Sequence, residues 1–185
     1  LTLAMYLRGD AFTVEDKARN FDYYDALTVR DSSLSACGQA IVAAEIGHLQ
    51  LAYDYLVETA FIDLHDLHHN VSNGLHIAAL AGTWLACVAG FGGMRDHRGE
   101  LSFAPRLPAA LNHLGFRIVW RGCRLSVDVT AREATYRLLS GRPLPLKHHC
   151  QPFTLGDTAV TLPVPRRPTP KTPALPDNRG PYRRE

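Results

Sequence analysis

The first 104 residues contain no proline, and all twelve prolines lie at or after Pro105. Proline costs about 3 kcal/mol in a helix interior, so the proline-free stretch points to helices and the later half to a different architecture. The four cysteines (Cys37, Cys87, Cys123 and Cys150) form no close pair. Zinc and redox motifs need such pairs, so these read as buried, reduced thiols. No apolar run reaches the roughly 18 residues that cross a bilayer, so no membrane partner is expected. Leu1–Leu7 is apolar but short, without the cationic start and cleavage site of a leader, and a cytoplasmic location is expected. The formal net charge is only +2, and much of the basic excess sits between Arg166 and Arg184, so no nucleic-acid partner is expected. Phosphate-loop, dinucleotide and nucleophile-elbow motifs are missing; Gly90-Phe-Gly-Gly93 lacks the strand–turn–helix setting.

Five helical segments are expected in the first half. Leu1–Arg8 opens without a polar lead-in or capping residue, as if already inside a helix, which suggests the tail end of a larger protein. Thr13 caps a second helix from Val14 to about Tyr24, with Glu15 and Asp16 in its first turn. The third opens at Ser32 or Ser33 and runs to Ile46, with Leu34, Cys37, Ile41 and Ala44 as its apolar stripe and Gly47 as its stop. His48–Thr59 is the fourth and pairs with the third. The fifth, Gly74 to Ala89, is apolar on nearly every face and reads as buried.

The second half reads as strands: Leu101–Phe103, Leu114–Trp120, Arg124–Val129, Ala134–Leu139 and Phe153–Leu162. Phe116, Ile118 and Trp120 alternate with Arg117, Val119 and Arg121, a period of two that means one buried face. The fold class is therefore α+β: a helical unit over residues 1–92, a β unit over 93–163 and a disordered tail over 164–185.

Two polar clusters interrupt the apolar helices: Thr28-Val-Arg-Asp-Ser-Ser-Leu-Ser35, and Asn70-Val-Ser-Asn-Gly-Leu-His76. Each puts hydroxyls, amides and free N–H groups at a helix N-terminus, a ready anion site. The ordinary reading of such residues is helix capping, and of a lone His76 a hydrogen-bonded structural role. His65, His68 and His69 suggest a metal cluster, but their spacing fits no zinc motif, and no metal is expected.

The same clusters carry a resemblance. Ala26-Leu-Thr-Val-Arg-Asp-Ser-Ser-Leu-Ser35, Ala43-Ala-Glu-Ile-Gly47, Asn73-Gly-Leu-His-Ile-Ala-Ala-Leu-Ala-Gly-Thr-Trp84 and Gly90-Phe-Gly-Gly-Met94 resemble glycoside hydrolase family 65, in particular its actinobacterial members. Leu101-Ser-Phe103, Leu107-Pro108, Phe116 through Leu125, and Leu138-Leu-Ser-Gly141 continue the match into that family's β domain.

The resemblance implies the last helices of an (α/α)6 barrel, followed by a small antiparallel β-sandwich cap. It implies an inverting α-glucoside phosphorylase or hydrolase acting on an α-linked glucose disaccharide, with inorganic phosphate as co-substrate and no cofactor. It places Ser32, Ser33 and His76 at a phosphate site and Arg30, Asp31 and Gly74 in the pocket lining. Ala79 stands where family members often carry Ser, so hydrolysis stays open beside phosphorolysis. The family's general acid is a glutamate upstream of the position of Leu1, and a Lys-Gln-Ala-Asp motif normally stands directly before Leu1, so no catalytic acid is expected in this chain. Glu45 and Glu58 fall in the helical hairpin and are not substitutes. The resemblance is compatible with a homodimeric full-length protein. The alternative is a non-catalytic remnant or split subunit with a structural or carbohydrate-binding role.

Overall fold

The computed structural model describes residues 1–28, 32–166 and 170. The helices are α1 (Thr2–Leu7), α2 (Val14–Asp25), α3 (Ser35–Ile46), α4 (Leu49–Phe61) and α5 (Ile77–Leu85), the last continuing into a π-helical turn over Ala86–Phe91. Thr13 opens α2 through a capping box: its hydroxyl accepts from the Asp16 N–H at 3.0 Å, and the Asp16 carboxylate reaches back to the Thr13 N–H. Such caps contribute about 1 kcal/mol. Gly47 ends α3 in the left-handed conformation, with φ at 98°.

The burial of α3 and α5 reverses the expectation. Nine of the twelve residues of α3 are buried, on every side of the helix. Its Ala and Gly side chains are short enough for α1, α2, α4 and α5 all to reach it. Helix α5 buries only Ala79 and Gly82 and presents Ile77, Leu80 and Trp84 to solvent. Hydrophobicity on all faces shows how a helix could be covered; contacts decide whether it is, and among the described residues α5 is covered on one face. Ile41, by contrast, is fully buried, against Cys37, Ala89, Tyr6 and Leu85. The approach of α5 to α3 needs Gly82, where a Cβ would lie 2.9 Å from Cys37 Cβ.

The second half forms two sheets. One is antiparallel, in the order β2 (His113–Trp120), β3 (Cys123–Thr130), β4 (Glu133–Ser140), β7 (Val160–Pro163), counting β1 as Ser102–Phe103. The other is β1, β5 (Leu144–His148) and β6 (Gln151–Leu155). β1 pairs with β5 in parallel because it arrives from the helical half, not through a hairpin. The β2–β3 turn is two residues, Arg121-Gly122, both at positive φ, and Cys123 belongs to the strand, facing Trp120. Leu101, Phe103, Leu125, Val127, Val129, Tyr136, Leu146 and Leu155 fill the space between the sheets.

Two strand expectations need correction. Phe153–Leu162 is two strands in different sheets, separated around Gly156 and Asp157. β5 is not among the expected strands; Pro145 falls inside it, yet Leu144, Leu146 and His148 alternate as its buried face. The cysteine expectation also changes, since Cys150 is exposed and Cys87 half-buried, while Cys37 and Cys123 are buried. The tail expected from residue 164 lies mostly outside the described residues, although the Val164 N–H still donates to Arg132 O.

The two halves are joined through Glu45 near the end of α3. Its carboxylate pairs with Lys17 at 2.6 Å and Arg95 at 3.0 Å. Arg95 also donates to the carbonyls of Ala89 and Met94, and Arg106 to those of Ala44 and Glu45. Burial pushes the Glu45 carboxyl up, but Arg95 and Lys17 outweigh it and hold it below the usual carboxylate range.

Candidate functional site

Helix α1, the segment before α3, α3 itself and α5 line an open cleft of about 590 Å³. Its polar lining includes Thr2, Tyr6, Thr28, Ser32, Ser35 and Gln39, with Leu3, Leu34, Ile41 and Leu85 among its apolar walls. The described lining residues include no carboxylate. Cys37 reaches the cleft, but burial pushes its thiol up to about 11, so it stays protonated at neutral pH and is no nucleophile.

Ser32 lies in the cleft wall, where its hydroxyl accepts from the Leu34 N–H at 3.3 Å. That is a local turn contact. Helix α3 has Leu34 in the capping position, and among the described residues no side chain caps its first turn. Ser33 is half-buried and outside the lining; Arg30 and Asp31 lie outside the described residues. Gly74, at φ 117°, closes a short 3-10 turn before α5 and is exposed.

His76 occupies the capping position of α5. Its N–H donates to Asp63 Oδ2 at 2.9 Å and its ring Nδ1 meets Asp63 Oδ1 at 2.5 Å. The side-chain hydrogen bond from His76 holds the Asp63 carboxyl below the usual carboxylate range, with help from the His76 N–H and charge. A carboxylate on Nδ1 fixes the tautomer and orientation of the ring and leaves Nε2 for another partner. His76 itself does not line the cleft; Ala78 and Ala81, farther along α5, do. The structure thus places the Ser32 and His76 segments at the openings of two packed helices and brings only the first into the cleft wall.

Three polar groups here escaped sequence reasoning. Asp63 orients His76 from thirteen residues away. Asp25 on α2, Gln39 on α3 and Tyr55 on α4 form a fully buried network: Gln39 Nε2 donates to Asp25 Oδ1 at 2.5 Å, and the Tyr55 hydroxyl lies 2.9 and 3.0 Å from the two carboxylate oxygens. Lys17, 3% exposed, is the buried partner of Glu45. No local spacing connects these residues. A charged or amide residue inside an apolar run, such as Gln39 between Gly38 and Ala40, is the available signal. His65 stacks on Phe61, and among the described residues no group of three or more His, Cys, Asp or Glu could hold a metal.

Two family profiles match this arrangement. The glycosyl hydrolase family 65 central catalytic domain covers residues 1–85, and the glycosyl hydrolase family 65 C-terminal domain covers residues 94–155. The chain belongs to glycosyl hydrolase family 65. It is 50% identical over its whole length to an uncharacterized glycosyl hydrolase of Mycobacterium leprae, and covers 24% of that protein. It is 44% identical to the alpha,alpha-trehalose phosphorylase of Thermoanaerobacter brockii over 77% of this chain and 18% of the relative. Against the maltose phosphorylase of Bacillus subtilis the identity is 40%, over 82% of this chain and 20% of the relative. A solved structure, "Putative kojibiose phosphorylase from human microbiome", superposes with a TM-score of 0.83 at 25% identity, over 89% of this chain and 24% of the other. The chain thus spans between about a fifth and a quarter of the length of these family 65 relatives. Its helices match the catalytic domain of the family and its two sheets the C-terminal domain. Among the described residues no helix is long and apolar enough to cross a membrane.

Proposed function

We propose that this chain is the C-terminal part of an inverting family 65 phosphorylase acting on an α-linked glucose disaccharide, holding the phosphate end of its pocket. The carrying observation is the Asp63–His76 pair at the opening of α5, a helix that packs against α3. Nδ1 of His76 is engaged, so Nε2 is the ring atom that would meet phosphate. Ser32 and Ser33 add hydroxyls, and the two helix N-termini add favourable dipoles.

In the reaction a phosphate oxygen bonds to the anomeric carbon while the glycosidic bond breaks, and a carboxylic acid protonates the leaving oxygen. The products are β-glucose 1-phosphate and a sugar. Glu45 is unsuited to that acid role, because its carboxylate is ion-paired with Lys17 and Arg95. By the family resemblance the acid is assigned to a glutamate of the longer protein. Hydrolysis is the second reading, favoured by the buried methyl of Ala79 in place of a hydroxyl.

The test is glucose 1-phosphate release from maltose, trehalose and kojibiose. The full-length protein should release it in proportion to phosphate, and this chain alone should not. In the full-length protein His76→Ala should raise KM for phosphate about tenfold or more, with a smaller effect on KM for the disaccharide. An unchanged phosphate dependence would remove His76 from the site. Free glucose without glucose 1-phosphate would select hydrolysis, and turnover by this chain alone would overturn the assignment of the acid.

A further inference from the structure

A second opening, about 710 Å³, lies on the β domain, far in sequence from the residues assigned above. It runs between the β2–β3 turn and the β5–β6 hairpin. Buried Leu101, Leu144 and Leu146 underlie it, and Trp120, Phe153 and three prolines supply apolar walls. Its charged groups are Arg121, Arg142, Lys147 and Glu100, three cations against one carboxylate. Lys147 and Glu100 pair with each other at 2.5 Å, which leaves the two arginines as the net positive charge of the opening. The Arg121 guanidinium lies over the Trp120 ring, 5.4 Å from its centroid, and fits there because Gly99 has no side chain: a Cβ at Gly99 would be 2.7 Å from the Arg121 nitrogen. One arginine is thereby held at the aromatic wall.

We propose that this opening is a binding site for a phosphorylated sugar. The aromatic and proline walls suit the C–H face of a pyranose, which gains by leaving water against flat apolar surface. Guanidinium groups match phosphate by paired N–H donors, and two arginines with no carboxylate partner among the described residues complement a dianion. The Lys147–Glu100 pair adds a donor and an acceptor for ring hydroxyls. Neither a neutral sugar nor inorganic phosphate alone uses both the aromatic wall and the cations. The Asp63–His76 pair, on the helical half, takes no part.

The experiment is calorimetric titration of the 185-residue chain with glucose 1-phosphate, glucose 6-phosphate, glucose and inorganic phosphate. One or both sugar phosphates should bind saturably, about tenfold or more tighter than glucose or phosphate alone. Arg142→Ala, at an exposed position, should weaken binding about tenfold, as should Trp120→Ala. Trp120→Leu serves if the alanine variant does not fold. Arg137→Ala, at an exposed position on β4 outside the opening, should leave this binding unchanged. Loss of binding in His76→Ala with retention in Arg142→Ala would place the sugar phosphate at the helical site and overturn the proposal. So would the absence of saturable binding up to about 10 mM, or equal affinity for inorganic phosphate alone.

Discussion

Replacing Glu45 with alanine tests how the helical and β halves are held together. Lys17 is 3% exposed and its ammonium group lies 2.6 Å from Glu45 Oε1. Removing the carboxylate strands that buried charge. Breaking a buried pair from one side costs about 3–5 kcal/mol, and Glu45, with a fifth of its side chain exposed, belongs near the lower end. Arg95 suffers less, because it keeps the carbonyls of Ala89 and Met94. A loss of about 3 kcal/mol corresponds to a Tm lower by roughly 6–12 °C in a chain of this size. Urea unfolding followed by far-ultraviolet circular dichroism at low protein concentration would measure it. The double variant Lys17→Met with Glu45→Leu should recover the part of the loss due to Lys17, while Arg95 keeps its carbonyl partners. A Glu45→Ala loss below about 1 kcal/mol, or no recovery in the double variant, would refute the account. The pH dependence has a definite sign. The folded carboxyl titrates below its ordinary range, so its contribution is present at neutral pH and is lost as the solution is acidified through that range.

The β domain should lose stability at milder acidity. The Tyr136 hydroxyl lies 2.7 Å from His148 Nδ1, and His148 Nε2 lies 3.0 Å from Pro163 O, an arrangement that fits a neutral imidazole donating to the carbonyl and accepting from the phenol. Burial lowers the His148 pKa below 6.5, so the unfolded chain takes up the proton first and stability falls as pH drops below that value. Melts between pH 7.5 and about pH 5.5 should show the fall, and Tyr136→Phe should cost about 1–2 kcal/mol at neutral pH; a flat profile would contradict the tautomer assignment. The face of Ile77, Leu80 and Trp84, each about half exposed or more, should drive self-association of the isolated chain. Sedimentation velocity should show it decreasing in Leu80→Gln with Trp84→Gln, and a wild-type chain that stays monomeric at tens of micromolar would contradict it.

Much of the local structure was legible in the sequence. Thr13 with Asp16, and Gly47, announce a helix start and a helix stop, because capping geometry depends on a few neighbouring residues. The alternation on β2 and β3 and the α+β division were legible for the same reason. The polar clusters that frame the candidate site were also visible as interruptions of apolar periodicity, together with the family they resemble. What the sequence could not assign was burial among elements of similar hydrophobicity. Helix α3 became the centre and α5 the rim, because the small residues of α3 admit neighbours on every side and α5 meets partners on one. Nor could it pair Asp63 with His76, Lys17 with Glu45, or Asp25 with Gln39 and Tyr55. Each of those contacts joins residues more than a dozen positions apart, and only the tertiary fold brings such groups within hydrogen-bonding distance.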